Sequence, residues 1–178
     1  MSQTPAGFHD STRKLRISKF NWVAMVGAPL AAILFQVYVP RFITYLSYLE
    51  LPLLVTVYFP LMRRSPVMGV FFGAGVGLAQ DSLSSSHHPL GMFGIVKTLV
   101  GYFAASVGQR FEVENSGVRL VLAFFFYFFH QFLSWVLTRA LLGEMLEFDL
   151  PQTLVLGVLN AAVALPLYRI LDKLKVTE

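Results

Sequence analysis

Apolar residues along this chain come in long runs, broken by short polar or basic groups. A helix that crosses a bilayer needs roughly 20 mostly apolar residues, and six stretches approach or exceed that length. The first covers Asn21–Val39 and is closed by Pro40. The second runs from Thr44 to Met62, with Glu50 near its beginning. Pro66–Gln80 is shorter and rich in glycine, and Pro89–Gly108 follows it. Val118–Leu142 is the longest and most apolar, and Leu150–Leu171 is the last. The pattern predicts an all-α fold: a polytopic membrane bundle of six transmembrane helices over residues 21–171. Residues 1–20 form a polar lead and residues 172–178 a short tail. The first run is as long as a full span and follows a basic lead, which marks it as an uncleaved signal-anchor.

The second and third runs are short enough for a re-entrant hairpin. Arg63-Arg64-Ser65-Pro66 between them argues for two true spans, because a re-entrant turn would hold two arginines inside the membrane at a cost of several kcal/mol. Charge then orients the bundle. With the N-terminus in the cytoplasm, the inner side holds Arg13, Lys14, Arg16, Lys19, Arg63, Arg64, Arg110, Arg119, Arg169, Lys173 and Lys175. The outer side has only Arg41 and Arg139, and it collects Glu50, Asp81, Glu144, Glu147 and Asp149. This is the positive-inside distribution of a protein with both termini cytoplasmic.

Composition agrees with the pattern. Of 178 residues, 56% are hydrophobic and 13% charged, and the mean hydropathy is +0.63. One soluble core of this size cannot hide so much apolar surface. The formal charge of +4 falls in small groups between apolar runs, where lipid headgroups account for it without nucleic acid. With no cysteine, disulfide and thiolate chemistry are excluded. The loops leave no room for an extramembrane catalytic domain, and no G-x-S-x-G, H-E-x-x-H or phosphate-cradling glycine loop is present. The expectation is a non-enzyme that carries no cofactor and no metal.

What remains are helix faces and a few misplaced polar groups. Gly69, Gly73 and Gly77 recur every four residues on the third run, and Ala24, Ala28 and Ala32 form a weaker stripe on the first. Such stripes let helix backbones approach closely, within the bundle or against a partner or second copy. Lys97 lies inside the fourth run and needs a partner or a route to the interface. Glu50 and Asp81 are placed to pair with it, and a cavity for an anionic ligand is the alternative. His130 and Gln131 interrupt the fifth run, where a lone histidine reads as a hydrogen-bonded packing residue. Asp81 with His87 and His88 lacks a second cluster to complete a metal site.

The central segment, Leu51-Pro-Leu-Leu through Arg63-Arg64, Gly69, Gly73, Gly77-Leu-Ala-Gln-Asp81, Pro89-Leu-Gly91 and Gly101-Tyr, resembles the rod-shape-determining MreD family. The matching positions are Pro52, Arg64, Gly73, Gly77, Asp81 and Gly91, joined near the end by Asn160, Pro166 and the basic Arg169, Lys173 and Lys175. The resemblance implies a small multi-pass protein of the bacterial inner membrane, without catalysis, in the machinery that elongates the cell wall. It implies association with MreC and, through it, with MreB, RodA and a class B penicillin-binding transpeptidase. It also implies a bundle similar to the substrate-binding component of energy-coupling-factor transporters. That likeness frames the competing expectation, a small-molecule transporter component in which Lys97 anchors an anionic solute. A proton-coupled carrier using Lys97 and His130 has no internal repeat behind it.

Overall fold

The computed structural model describes residues 20–83, 91–143 and 147–176. Arg13, Lys14, Arg16, Lys19, Glu144, and the Ser84–Pro89 loop with His87 and His88 lie outside the described residues. Within them the chain forms six helices: α1 (Trp22–Tyr38), α2 (Leu51–Arg63), α3 (Pro66–Leu83), α4 (Met92–Arg110), α5 (Ser116–Leu142) and α6 (Leu150–Asp172). Each follows one of the six apolar runs. Asn21, Asn115 and Asp149 cap α1, α5 and α6 by accepting from backbone N–H groups that have no intrahelical partner.

The second run departs from a simple span. Thr44–Tyr48 is a 3₁₀ turn, the chain breaks at Leu49 and Glu50, and the α-helix starts only at Leu51. Pro52 accounts for the starting point, since its fixed φ and missing N–H suit a first turn. At 1.5 Å per residue α2 is about 20 Å long, short of the roughly 30 Å hydrocarbon core. Every residue from Pro52 to Met62 is buried. A helix apolar on all sides belongs inside a bundle, and α2 is the post on which the other helices are arranged.

Four stretches are long and apolar enough to cross a membrane: Trp22–Arg41, Thr44–Arg63, Ser116–Leu142 and Leu150–Asp172. Helices α3 and α4, about 27 and 28 Å long, are comparable in length but carry glycines and the polar Gln80, Asp81 and Lys97. These three side chains are turned inward and are buried. The outward faces are apolar, with Val23 and Val26 on α1, Val121 and Phe125 on α5, and Val155 and Val158 on α6 all exposed.

Helices α3 and α4 meet backbone to backbone. A methyl group built on Gly69 would strike the Gly101 carbonyl, one on Gly73 the Lys97 carbonyl, and one on Gly77 the Phe93 carbonyl. Gly101 faces Gly69 in return, and Gly108 sets α4 against the Leu61 carbonyl of α2. The glycine stripe is therefore covered inside the chain and offers no open face to a partner helix. On α1, Ala24 and Ala32 are buried, and Ala28 packs against the core that contains Leu54, Val55 and Tyr58. A partner or second copy must meet a different surface.

The two ends of the described chain come together, Phe20 bridging to Lys175. The Phe20 ring packs edge-on against Tyr58 and Phe59, with centroids 5.8 and 5.0 Å away. The start of α1 and the end of α6 thus lie at one end of the bundle. Replacing Gly73 by alanine is expected to cost about 1–3 kcal/mol through overpacking against backbone. Gly75→Ala, one turn-face away with open space around it, is expected to be neutral or to add about 0.5–1 kcal/mol. Thermal unfolding of the purified variants in detergent checks both.

Candidate functional site

The polar groups that the sequence leaves inside the apolar runs fall into three places. The first surrounds Lys97, whose side chain is fully buried five residues into α4. Its ammonium donates to the Gln80 side-chain oxygen on α3 and lies over the Phe93 ring, 5.0 Å from the centroid. Glu50 and Asp81 act on it through space, but neither forms an ion pair with it among the described residues. Gln80, which the sequence reading passed over, is the direct partner. His130 stacks on the same Phe93 ring, with centroids 6.1 Å apart and an interplanar angle of 10°. Among the described residues neither of its ring nitrogens has a hydrogen-bond partner, and the contact seen there is this ring stacking. Gln131 donates to the Tyr127 hydroxyl at 3.0 Å.

Asp81 has a different task from pairing with lysine. Its carboxylate accepts from the backbone N–H groups of Gly91 (3.0 Å), Phe93 (3.3 Å) and Gly94 (3.1 Å). It caps α4 from the end of α3, where the positive end of the helix dipole favours a negative charge. Gly91, with φ +99°, makes the sharp entry into α4 that a side chain would strain. One acidic residue and one glycine thereby set the register at which the glycine edges of α3 and α4 meet.

The second place is the break before α2. Asn160, fully buried on α6, accepts from Glu50 N at 2.8 Å and donates to the Tyr48 carbonyl at 2.9 Å and to Leu156 O at 3.0 Å. It lies about 15 Å from the start of α6, near the middle of the bundle. Glu50 is therefore deeper than the outer rim where its position in the run placed it. One carboxylate oxygen of Glu50 is buried and has no hydrogen-bond partner among the described residues. Non-helical backbone at this depth is tolerated only when protein groups satisfy it, and Asn160 does so on both sides of the break. Pro52 begins the helix, and its carbonyl accepts from the Thr56 hydroxyl at 2.7 Å.

The third place is the end that brings Phe20 and Lys175 together. Arg64 ends α2 in the left-handed conformation, φ 55° and ψ 29°, with its N–H on Pro60 O, and Gln109 of α4 donates to its carbonyl at 2.9 Å. Arg119 was expected among the headgroups. It is instead buried, donating to Val113 O at 2.7 Å and pairing with Asp172. Asp172 also accepts from the Tyr58 hydroxyl at 2.7 Å and pairs with Lys175 at 2.6 Å. This network ties α2, α5 and α6 together. The signal for it was Asp172, an acid set between the basic Arg169, Lys173 and Lys175. Pro166 lies exposed inside α6, where it removes the N–H that would bond the Ala162 carbonyl.

These groups define a helical membrane protein whose described interior polar residues join helices and helix ends to one another. A family model described as rod shape-determining protein MreD matches residues 16–175, and the chain belongs to that family. No curated protein and no solved structure matches it. Among the positions that carried the resemblance, Pro52, Arg64, Asp81 and Gly91 stand at helix ends, and Asn160 bonds the break before α2.

Asn160→Leu should strand the Glu50 N–H and the Tyr48 carbonyl, at about 1–3 kcal/mol for each buried group left unpaired. A fall in thermal stability in detergent with span content retained by circular dichroism is the expected reading. Gln80→Leu should destabilise more than the double change Gln80→Leu with Lys97→Leu, because a single removal leaves a buried charge unpaired. A double-mutant cycle of unfolding midpoints measures this.

Proposed function

We propose that the protein is a non-enzymatic scaffold of the bacterial cell-wall elongation machinery that docks MreC in the inner membrane. Membership of the rod-shape-determining family over nearly the whole chain is the observation that carries this reading. The geometry supports it through what the polar residues do. Lys97, Asp81, Asn160, Arg119 and Asp172 hold helices to one another, so the surface available for work is apolar and outward-facing. The exposed sides of α1, α5 and α6 suit a single-span partner, with MreB, RodA and a class B penicillin-binding transpeptidase reached through it. A second copy of the chain would compete for the same faces.

In this reading α3 and α4 cross the membrane with the other four, giving six crossings. Both termini are cytoplasmic, in keeping with Phe20 and Lys175 at one end of the bundle together with Arg63, Arg64, Arg110 and Arg169. The transporter reading finds less support. Its anchor for an anionic solute, Lys97, already has Gln80 as partner and Glu50 and Asp81 as neighbours, and acidic neighbours repel an anion.

Affinity-tagged protein solubilised in mild detergent is expected to carry MreC with it, and depletion of the protein is expected to round the cells. Absence of MreC from the purified material, with rod shape kept on depletion, would overturn the proposal. Uptake of a small solute restored together with a transporter ATPase would favour the alternative.

A further inference from the structure

Helices α1 and α3 both lean on α2 but diverge from each other, leaving a groove of about 800 Å³ open to the outside of the bundle. Its walls run from Trp22 to Ile33 on α1 and from Val67 to Ala79 on α3. Arg63, the last residue of α2, and Ser65, in the turn before α3, close one end. Apart from these two and the indole of Trp22, every lining side chain is apolar or the residue is glycine. The volume falls within the range of about 300–1,000 Å³ typical of ligand sites.

Two features say what fits. The first is length. The twelve residues of α1 and the thirteen of α3 make walls of about 16 and 18 Å, close to the depth of one leaflet, half of the roughly 30 Å hydrocarbon core. A partner helix that crosses the membrane needs a groove through both leaflets. A single acyl chain needs only this one.

The second is charge. The half-buried Arg63 guanidinium has five N–H donors, and the hydrogen bond it makes among the described residues is to the Met25 thioether, 3.5 Å away, a weak acceptor. Guanidinium groups match phosphate oxygens two at a time. Ser65 lines the same end of the groove, and α3 begins at the next residue with its positive dipole end there. Trp22, 76% exposed at this end, is the kind of residue that sits at headgroup level.

We infer that the α1–α3 groove binds an anionic phospholipid. One acyl chain lies between the two helices and the phosphate rests on Arg63, Ser65 and the start of α3. The lipid completes the wall where α1 stands away from α3. This assignment depends on the chain lying in a bilayer and not on the choice of partner in the elongation machinery.

The test is native mass spectrometry of the purified full chain, delipidated and then titrated with phosphatidylglycerol or phosphatidylcholine. One basic contact near a membrane surface is worth about a fivefold preference for the anionic lipid. The wild type should show that preference, and Arg63→Gln should reduce it to near unity. A Cβ on Gly75 meets open space in the groove, so Gly75→Leu should occupy it and lower retention of both lipids without lowering the unfolding temperature. Equal binding of the two lipids by the wild type, an undiminished preference in Arg63→Gln, or undiminished retention in Gly75→Leu would each overturn the site. A photo-cross-linking residue at position 71 should label lipid in native membranes. Labelling of a protein helix there would assign the groove to a partner instead.

Discussion

A bilayer gives backbone groups no water to bond, so each N–H and C=O inside it must find a partner in the protein. Nearly every irregular feature of this molecule answers that demand. The chain leaves helical geometry midway down the bundle, at Leu49 and Glu50, and Asn160 from the far end of the sequence meets the groups set free there. The start of α4 is met by Asp81. Hydroxyls inside helices are met by the carbonyl four residues back, as at Thr56, Thr98, Thr138 and Thr153. Polar residues in the interior are thus fittings for the backbone, and their positions follow from where the helices stop and start.

The same solvent explains why glycine, not leucine, makes the closest contact. Lipid chains are as apolar as leucine side chains, so burying apolar surface does little to bring helices together in a membrane, and close packing must do it. Along α3 and α4 the absence of side chains at Gly69, Gly73, Gly77 and Gly101 lets carbonyls and α-carbons touch directly. Lys97 and Gln80 join across the same seam. Close van der Waals contact and one charge-assisted hydrogen bond act together to hold α3 against α4.

Much of this was legible in the sequence because it is local. The six apolar runs, the Arg63–Arg64 turn and the four-residue glycine spacing depend only on neighbours along the chain, and each corresponds to a helix, a helix end or a helix seam. What escaped depends on residues brought from far away. Glu50 reads as a rim residue until Asn160, 110 positions later, is seen to hold the backbone beside it at mid-depth. Arg119 reads as a headgroup cation until Asp172 and the Val113 carbonyl draw it inward. Lys97 was visible as an anomaly, but nothing along the chain ranks Gln80 above Glu50 or Asp81 as its partner. Distance to three candidates is a property of the folded seam and not of any run.

The Asn160 clamp has a consequence for how the molecule is made. A chain enters the membrane in order from its N-terminus, so the break before α2 reaches the bilayer long before α6 has been synthesised. Until then the Glu50 N–H and the Tyr48 carbonyl must be sheltered by something other than Asn160: interfacial water, the insertion machinery, or a shallower placement of α2. The second helix can take its final depth only when the sixth arrives. Assembly of this bundle is therefore completed from its end, and a nascent chain cut short before Asn160 would hold its central post without the fitting that seats it.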